Sequence, residues 1–132
     1  MKRALLLMFT AIGLAGALLS GRLVRRYVVE GRSMLRAFEP GDRLLVEGMS
    51  YRFRTPRVGE AVVVHQPGNN GRLDLKRIAA GPGSEVTVDG QPDFLGNGEW
   101  YVLGDNLAES TDSRELGPVK TVDIVGRVWR KY

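Results

Sequence analysis

The length, cysteine content and charge of this chain exclude several classes of protein. Its 132 residues suit one small domain behind an N-terminal segment, and the absence of cysteine excludes disulfides, thiolate nucleophiles and thiolate metal ligands. The formal charge is +4, but five of the 19 basic residues lie at positions 2, 3, 22, 25 and 26, which leaves 14 basic against 15 acidic side chains elsewhere. The domain itself therefore lacks the basic surface of a nucleic-acid-binding protein, whereas its N-terminal flanks suit anionic lipid headgroups.

An uncharged apolar stretch of 17 residues, 4–20, begins the chain. As a helix it would be about 25 Å long, close to the roughly 30 Å of a bilayer's hydrocarbon core, and Leu23 and Val24 extend it if Arg22 reaches the headgroups. We therefore predict a single transmembrane anchor whose basic flanks complete residues 1–26. The alternative is a cleavable signal peptide with a cleavage site at Ala15-Gly16-Ala17. The charges on the two flanks do not decide the orientation.

Residues 27–132 are predicted to form one mainly β domain, because short apolar runs alternate with turn residues. The chain has 17 glycines and 6 prolines, and this pattern favours a small barrel or coiled sheet. Asp89-Gly90 predicts a hairpin, and no useful amphipathic helix follows residue 30. The predicted strands are Val28-Val29, 43–47, 60–65, 73–78, 85–88, 99–103 and 124–129.

The sequence offers a serine with lysine, rather than histidine, as its base. A serine hydroxyl needs an adjacent base, and His65 is interpreted as a polar residue that ends an apolar strand. A lysine in an apolar pocket loses its proton more readily, and Lys76 follows Leu75 and shares a strand face with Asp74 and Ile78. A single strand lysine is more typical of a solvated edge, so this interpretation depends on a larger pattern.

Five motifs occur in a fixed order along the domain. The first is Val29-Glu30-Gly31-Arg32-Ser33-Met34, the next two span residues 40–46 and 58–64, and the fourth is Lys76-Arg77-Ile78 with Pro82-Gly83 behind it. The fifth and most specific is Gly104-Asp105-Asn106 followed by Ser110, Asp112-Ser113-Arg114, Gly117 and Val119. Together they resemble the type I signal peptidases, which are membrane-bound endopeptidases with a Ser/Lys dyad. The chain is also similar to the short peptidases proposed to mature nickel-containing superoxide dismutase.

The resemblance implies a role for each matching residue. Ser33 would be the nucleophile and Lys76 the general base, with Ser110 orienting the lysine amine. Asp112 and Arg114 would form an ion pair that holds their loop. No cofactor is implied, and the acidic residues show no metal-ligand spacing.

Substrate binding is also implied by the resemblance. The Ser33 backbone N–H would donate to the oxyanion, while Gly31 stands where some relatives carry a second donor hydroxyl, so a substitute donor is expected. A preprotein with small residues at the first and third positions before the cut would add as a β-strand. The expected substrate-binding residues are Val29, Glu30, Met34, Asp74 and Leu75.

The membrane is the second expected partner. By the resemblance, the catalytic domain lies on the extracytoplasmic side of the plasma membrane. Met34, Leu35 and Phe38 are expected to touch lipid, with core packing as the alternative for Phe38. Arg36 and Ala37 stand where the family usually has proline and threonine, so the substrate-facing surface there departs from the pattern.

Three alternatives remain open at the sequence level. A dedicated maturation protease of the same fold would cut one propeptide, and only its genomic neighbourhood would separate it from a general signal peptidase. A catalytically silent barrel would bind peptides or a membrane partner, but it need not keep Ser33, Lys76 and Ser110 together. A self-cleaving repressor-type domain would need a DNA-binding segment in place of the apolar one.

Overall fold

The computed structural model describes residues 24–132, and within them the fold is mainly β. The strands are β1 Val24–Val28, β2 Arg43–Glu47, β3 Ala61–His65, β4 Leu73–Ala80, β5 Glu85–Val88, β6 Gln91–Phe94, β7 Glu99–Leu103, β8 Val119–Lys120 and β9 Ile124–Lys131. Seven of them form one antiparallel sheet in the order β1-β2-β9-β3-β4-β7-β8, while β5 and β6 form a separate hairpin. The predicted coiled β-sheet is confirmed.

Helices contribute little to the described part of the chain. One α-helix, α1, covers Ser113–Leu116, and 3-10 turns cover Ser50–Arg52, Leu107–Glu109 and Thr121–Asp123. None of the helices in residues 24–132 has the length and apolar composition needed to cross a membrane. The apolar stretch 4–20 lies outside the described residues, so the transmembrane anchor stays a prediction, as does the domain division at residue 27.

The first and sixth strands differ from the sequence prediction. The strand predicted at Val28-Val29 is instead β1, which begins at Val24 and pairs with β2 from Val24 opposite Glu47 to Val28 opposite Arg43. Arg25 and Arg26 resemble a membrane flank by charge, but β-pairing decides their conformation. In β6 all four residues are exposed, so no alternation of apolar and polar residues marks it. The hairpin predicted at Asp89-Gly90 is confirmed, with φ of 49° and 76° at these two residues.

The sheet is covered by apolar side chains on both faces, which explains the unbroken run of valines at 62–64 in β3. Alternate residues of a strand point to opposite faces, so Val62 and Val64 enter one cluster while Val63 enters the other. The first cluster also holds Ile78, Trp100, Val102, Val119 and Ile124. The second holds Val29, Met34, Leu44, Val46 and Leu75, with Phe38 packed against it.

The lipid contact expected of Met34 is wrong, since only 2% of this residue is exposed and its side chain lies in the second cluster. For Phe38, which is partly buried against the same cluster, the alternative of core packing is confirmed. Met34 thus anchors the segment after Ser33 to the core.

One strand edge remains open next to Lys76. β4 pairs with β3 from Leu73 to Arg77, whereas its pairing with β7 begins only at Arg77. Within residues 24–132, the stretch from Leu73 to Lys76 therefore has a strand on one side alone. Such an edge can accept a peptide as an added strand.

Candidate active site

Ser33 lies in the turn region between β1 and β2, and its position is set by contacts with the loop after β7. The backbone N–H of Asn106 donates to the Ser33 carbonyl at 2.8 Å, and the Asn106 side chain donates to the Arg32 carbonyl at 3.0 Å. Arg32 pairs with Glu109 at 3.1 Å. Gly31 has a φ of +71°, which favours glycine and lets the chain turn just before Arg32.

Lys76 is a buried lysine in the middle of β4. It is 4% exposed, and its ammonium nitrogen Nζ donates to the Ser110 hydroxyl at 3.1 Å. Burial lowers the pKa of Lys76 below its ordinary value, although the nearby carboxylates of Asp74 and Asp112 act in the opposite direction. A lysine in this environment can hold a neutral amine closer to neutral pH than a solvated lysine can.

Asp112 fixes the direction of the hydrogen bonds around Lys76. The Ser110 hydroxyl donates to Asp112 Oδ2 at 2.7 Å, and the Gly104 backbone N–H donates to the same oxygen at 3.0 Å. Arg114 Nε donates to Asp112 Oδ1 at 2.8 Å. Burial raises the pKa of the Asp112 carboxyl, but these donors outweigh it and hold that pKa below its ordinary value. The carboxylate is therefore the acceptor in its hydrogen bond with the Ser110 hydroxyl.

The local sequence explains why Asp112 can be fully buried as an anion. It is the N-cap of α1, where it forms a capping box: its side chain accepts from the Arg114 backbone N–H, and the Glu115 side chain accepts from its own. Ser113 is also fully buried, and its hydroxyl accepts the Val102 backbone N–H at 2.9 Å. The loop is therefore joined to β7 by side chains of the fifth motif.

Gly104 is the point at which the segment with Ser33 and the loop with Ser110 approach each other. A Cβ atom at this position would clash with the Ser110 side chain and would lie 2.6 Å from the Ser33 carbonyl oxygen. Glycine is therefore required by close approach, which gives a physical reason for the first residue of the fifth motif. The segment with Ser33 and the loop with Ser110 meet through this contact.

Ser33 and Lys76 line the same cleft, which has a volume of about 230 Å³. Its other lining residues are largely polar: Glu30, Gly31, Arg32, Gln66, Asn69, Arg72, Asp74, Glu109, Thr111 and Leu116. The structure therefore brings Ser33, the buried Lys76 and the residues beside the open edge of β4 to one cleft.

The profile of the family described as signal peptidase, peptidase S26, matches residues 1–93 and 89–132. This chain belongs to that family. It is 34% identical to the probable signal peptidase I-1 of Synechocystis sp., with 88% of this chain and 77% of the relative covered. It is 36% identical to the mitochondrial ATP-independent inner membrane protease subunit 1a of Arabidopsis thaliana, covering 76% of this chain and 68% of the relative. It is 33% identical to signal peptidase I of Leptolyngbya laminosa, with 88% of this chain and 73% of the relative covered.

The residues expected from the S26 resemblance fall into three groups. The predicted contacts from Ser110 to Lys76 and from Arg114 to Asp112 are present, while their catalytic roles stay predictions. Of the expected substrate-binding residues, Glu30 and Asp74 line the cleft. The other three lie in the second apolar cluster and are at most 4% exposed: Val29, Met34 and Leu75.

Sequence reasoning missed the polar residues that hold Asp74. The Gln66 side-chain amide donates to Asp74 Oδ2 at 2.8 Å, and Asn69 donates to the same oxygen. Gln66 is also buried, whereas its sequence context, Gln66-Pro67-Gly68, is that of an exposed turn. Polar amide residues in a turn, such as Gln66 and Asn69, give no signal that distinguishes a cleft wall from a solvated loop.

Proposed function

We propose that this S26 family member is a membrane-bound serine endopeptidase that removes signal peptides from secreted preproteins with a Ser33/Lys76 dyad. The observation that carries the proposal is the buried Lys76 amine, which bonds to Ser110 in the cleft that Ser33 also lines. The family and its curated relatives support peptidase activity. The substrate class and the dyad are the proposed steps.

The hydrogen bonds around Lys76 leave its base function available. The Ser110 hydroxyl has one O–H group, and this group donates its hydrogen bond to Asp112. Towards the lysine amine, Ser110 can therefore only be the acceptor. A neutral amine has two N–H bonds and one lone pair, and Ser110 takes one of the N–H bonds. The lone pair is then left for the Ser33 hydroxyl, and Ser110 acts as a positioning residue.

The reaction proceeds in two halves. Lys76 takes the Ser33 proton as the serine oxygen bonds to the scissile carbonyl, and the Ser33 backbone N–H donates to the oxyanion. The oxyanion collapses, the carbon–nitrogen bond breaks, and the Lys76 ammonium gives its proton to the leaving amine. Water, losing a proton to Lys76, then attacks the acyl carbonyl. The second oxyanion collapses, the bond to the Ser33 oxygen breaks, and Lys76 returns the proton to Ser33, while the signal peptide leaves as an acid that ionises in water.

The open edge of β4 would bind the preprotein. The residues before the cut would pair with the backbone between Leu73 and Lys76, opposite the segment that carries Ser33. Small residues at the first and third positions are proposed because a tight backbone approach leaves little side-chain volume. The apolar stretch 4–20 would anchor the chain in the plasma membrane, with the domain on the extracytoplasmic side.

A preprotein with an Ala-x-Ala site tests this function directly. The full chain in anionic phospholipid vesicles should cut after the second alanine, and N-terminal sequencing of the product identifies the bond. A matched preprotein with leucine at the first and third positions should lose at least about 10²-fold in kcat/KM. Equal cleavage of both would contradict the proposed substrate class. Failure to cut either, with cleavage of one propeptide encoded beside this chain, would point to the dedicated maturation protease.

Ser110→Ala should lower kcat by roughly 10- to 100-fold and leave KM within about twofold. The variant removes the oxygen that accepts from Lys76, so the amine is no longer held in one orientation, whereas the peptide-binding edge is intact. Steady-state kinetics on the Ala-x-Ala preprotein separate the two constants. Ser84→Ala, in the turn before β5, is the control. An unchanged kcat would remove Ser110 from the site.

A further inference from the structure

The cleft contains one carboxylate without a cationic partner among the described residues. Three acidic and three basic side chains line it, and two pairs are matched: Arg32 with Glu109 at 3.1 Å and Arg72 with Glu30 at 3.7 Å. The remaining two are Lys76 and Asp74. No salt bridge joins these two within residues 24–132, so Asp74 is the cleft carboxylate that no arginine neutralises.

Asp74 is held in a fixed orientation by neutral amides. Gln66 and Asn69 both donate to its Oδ2 atom. Among the hydrogen bonds of residues 24–132, none reaches Oδ1 of Asp74, and this residue is only partly buried. One carboxylate oxygen is therefore left to accept a hydrogen bond from a molecule in the cleft.

The buried Gln66 amide supports the importance of this orientation. Its Nε2 donates to Asp74 and, at 3.3 Å, to the Thr111 carbonyl, while its Oε1 is buried and has no hydrogen-bond partner within residues 24–132. A flipped amide would place Oε1 against a carboxylate and a carbonyl, so the observed arrangement is forced by these two acceptors. The two acceptors thus fix the Gln66 amide, and the amide in turn fixes Asp74.

Asp74 is also close enough to the reacting atoms to affect substrate choice. It precedes Lys76 by two residues on β4, so the two side chains share a face and their Cα atoms are about 6.6 Å apart. That distance is about the length of two residues of a substrate strand laid along the same edge. A side chain near the cut would then lie within reach of Oδ1.

We propose that Asp74 selects substrates that carry a hydrogen-bond-donating side chain, such as serine, among the three residues before the cut. This inference rests on the proposed peptidase function and makes its substrate class narrower. A site of small apolar residues accepts alanine and serine about equally. A positioned carboxylate favours serine, since its hydroxyl replaces a hydrogen bond from water with one to an anion.

Four preproteins test the inference: one has alanine at all three positions before the cut, and the other three each have a single serine at one of these positions. In vesicles, the full chain should cleave the serine form about tenfold faster in kcat/KM at one position, the size expected for a charge-assisted hydrogen bond. Asp74→Asn has the same shape, but Gln66 and Asn69 require an oxygen at the Oδ2 position. The introduced NH₂ then faces the cleft, and a bond that it donates to the serine hydroxyl is neutral and therefore weaker, so the serine preference should fall to about threefold or less.

Glu109→Gln is the matched control, because it removes a carboxylate from the same cleft and should keep the serine preference. Thermal unfolding of each variant establishes that the fold is intact. Equal cleavage of serine and alanine forms by the wild type would overturn the inference and leave the peptidase function standing. A serine preference that stays at its wild-type size in Asp74→Asn would also overturn it. If the folded wild type cleaves none of the four, both the proposed function and this inference fail.

Discussion

Ser33→Ala is expected to lower kcat for preprotein cleavage by at least about 10³-fold without unfolding the protein. The substitution removes the atom that forms the acyl-enzyme, and the remaining groups can only bind the peptide and polarise its carbonyl. The fold should persist, because the segment is held through the Ser33 carbonyl, the Arg32 carbonyl and the buried Met34 side chain. Single-turnover cleavage in vesicles measures the rate, and thermal unfolding measures the fold.

Ser84→Ala provides the matched control, since it removes a hydroxyl from a residue that does not line the cleft. It should cleave at the wild-type rate. Acyl-enzyme trapping gives a second measurement, because only a protein with Ser33 should form a covalent intermediate with a slowly hydrolysed peptide ester. Cleavage by Ser33→Ala within tenfold of the wild type would mean that another group is the nucleophile.

Substitution of Lys76 should be equally damaging, and its chemistry can be separated from its charge. Lys76→Arg keeps a cation that does not lose its proton, while Lys76→Met keeps a chain of similar length without a base. Both should lower kcat by at least about 10³-fold. Lys120→Met, at an exposed position of β8, should have no such effect. Substantial cleavage by Lys76→Arg would exclude lysine as the base.

The same residue should determine how activity and stability respond to pH. Because burial lowers the pKa of Lys76, wild-type kcat should rise with pH through that lowered pKa and level off above it. The unfolded chain binds this proton more tightly than the folded one, so this group makes the free energy of unfolding increase with pH between the lowered and the ordinary pKa. In Lys76→Met that increase should disappear, and the Tm near neutral pH should rise by a few degrees. A kcat that does not change over this range would contradict a lysine base.

The sequence predicted the parts of the site whose residues must be of one type. The contacts from Ser110 to Lys76 and from Arg114 to Asp112 follow the motif, and Gly104 is explained by a close approach that no other residue permits. These positions depend on local spacing along two segments. A sequence pattern is informative wherever one side chain alone fits.

The features that sequence did not predict depend on contacts between distant segments. Met34 lies in the core because the turn after Ser33 folds onto β2, which its apolar character alone does not distinguish from a lipid contact. Gln66 is held against the loop with Thr111, because its side-chain amide donates to the Thr111 carbonyl oxygen at 3.3 Å. β1 is a strand because β2 lies beside it, although its two arginines suggest a membrane flank. Tertiary pairing outweighs local composition in each case.

The contact at Gly104 has a consequence for inhibition. The segment with Ser33 and the loop with Ser110 touch through this glycine and are joined again by Asn106. A protein whose site is already ordered loses little conformational entropy when a ligand binds. A peptide boronate that bonds to the serine oxygen should therefore gain most of its affinity from the covalent bond and the β4 edge, with little offset from ordering the protein.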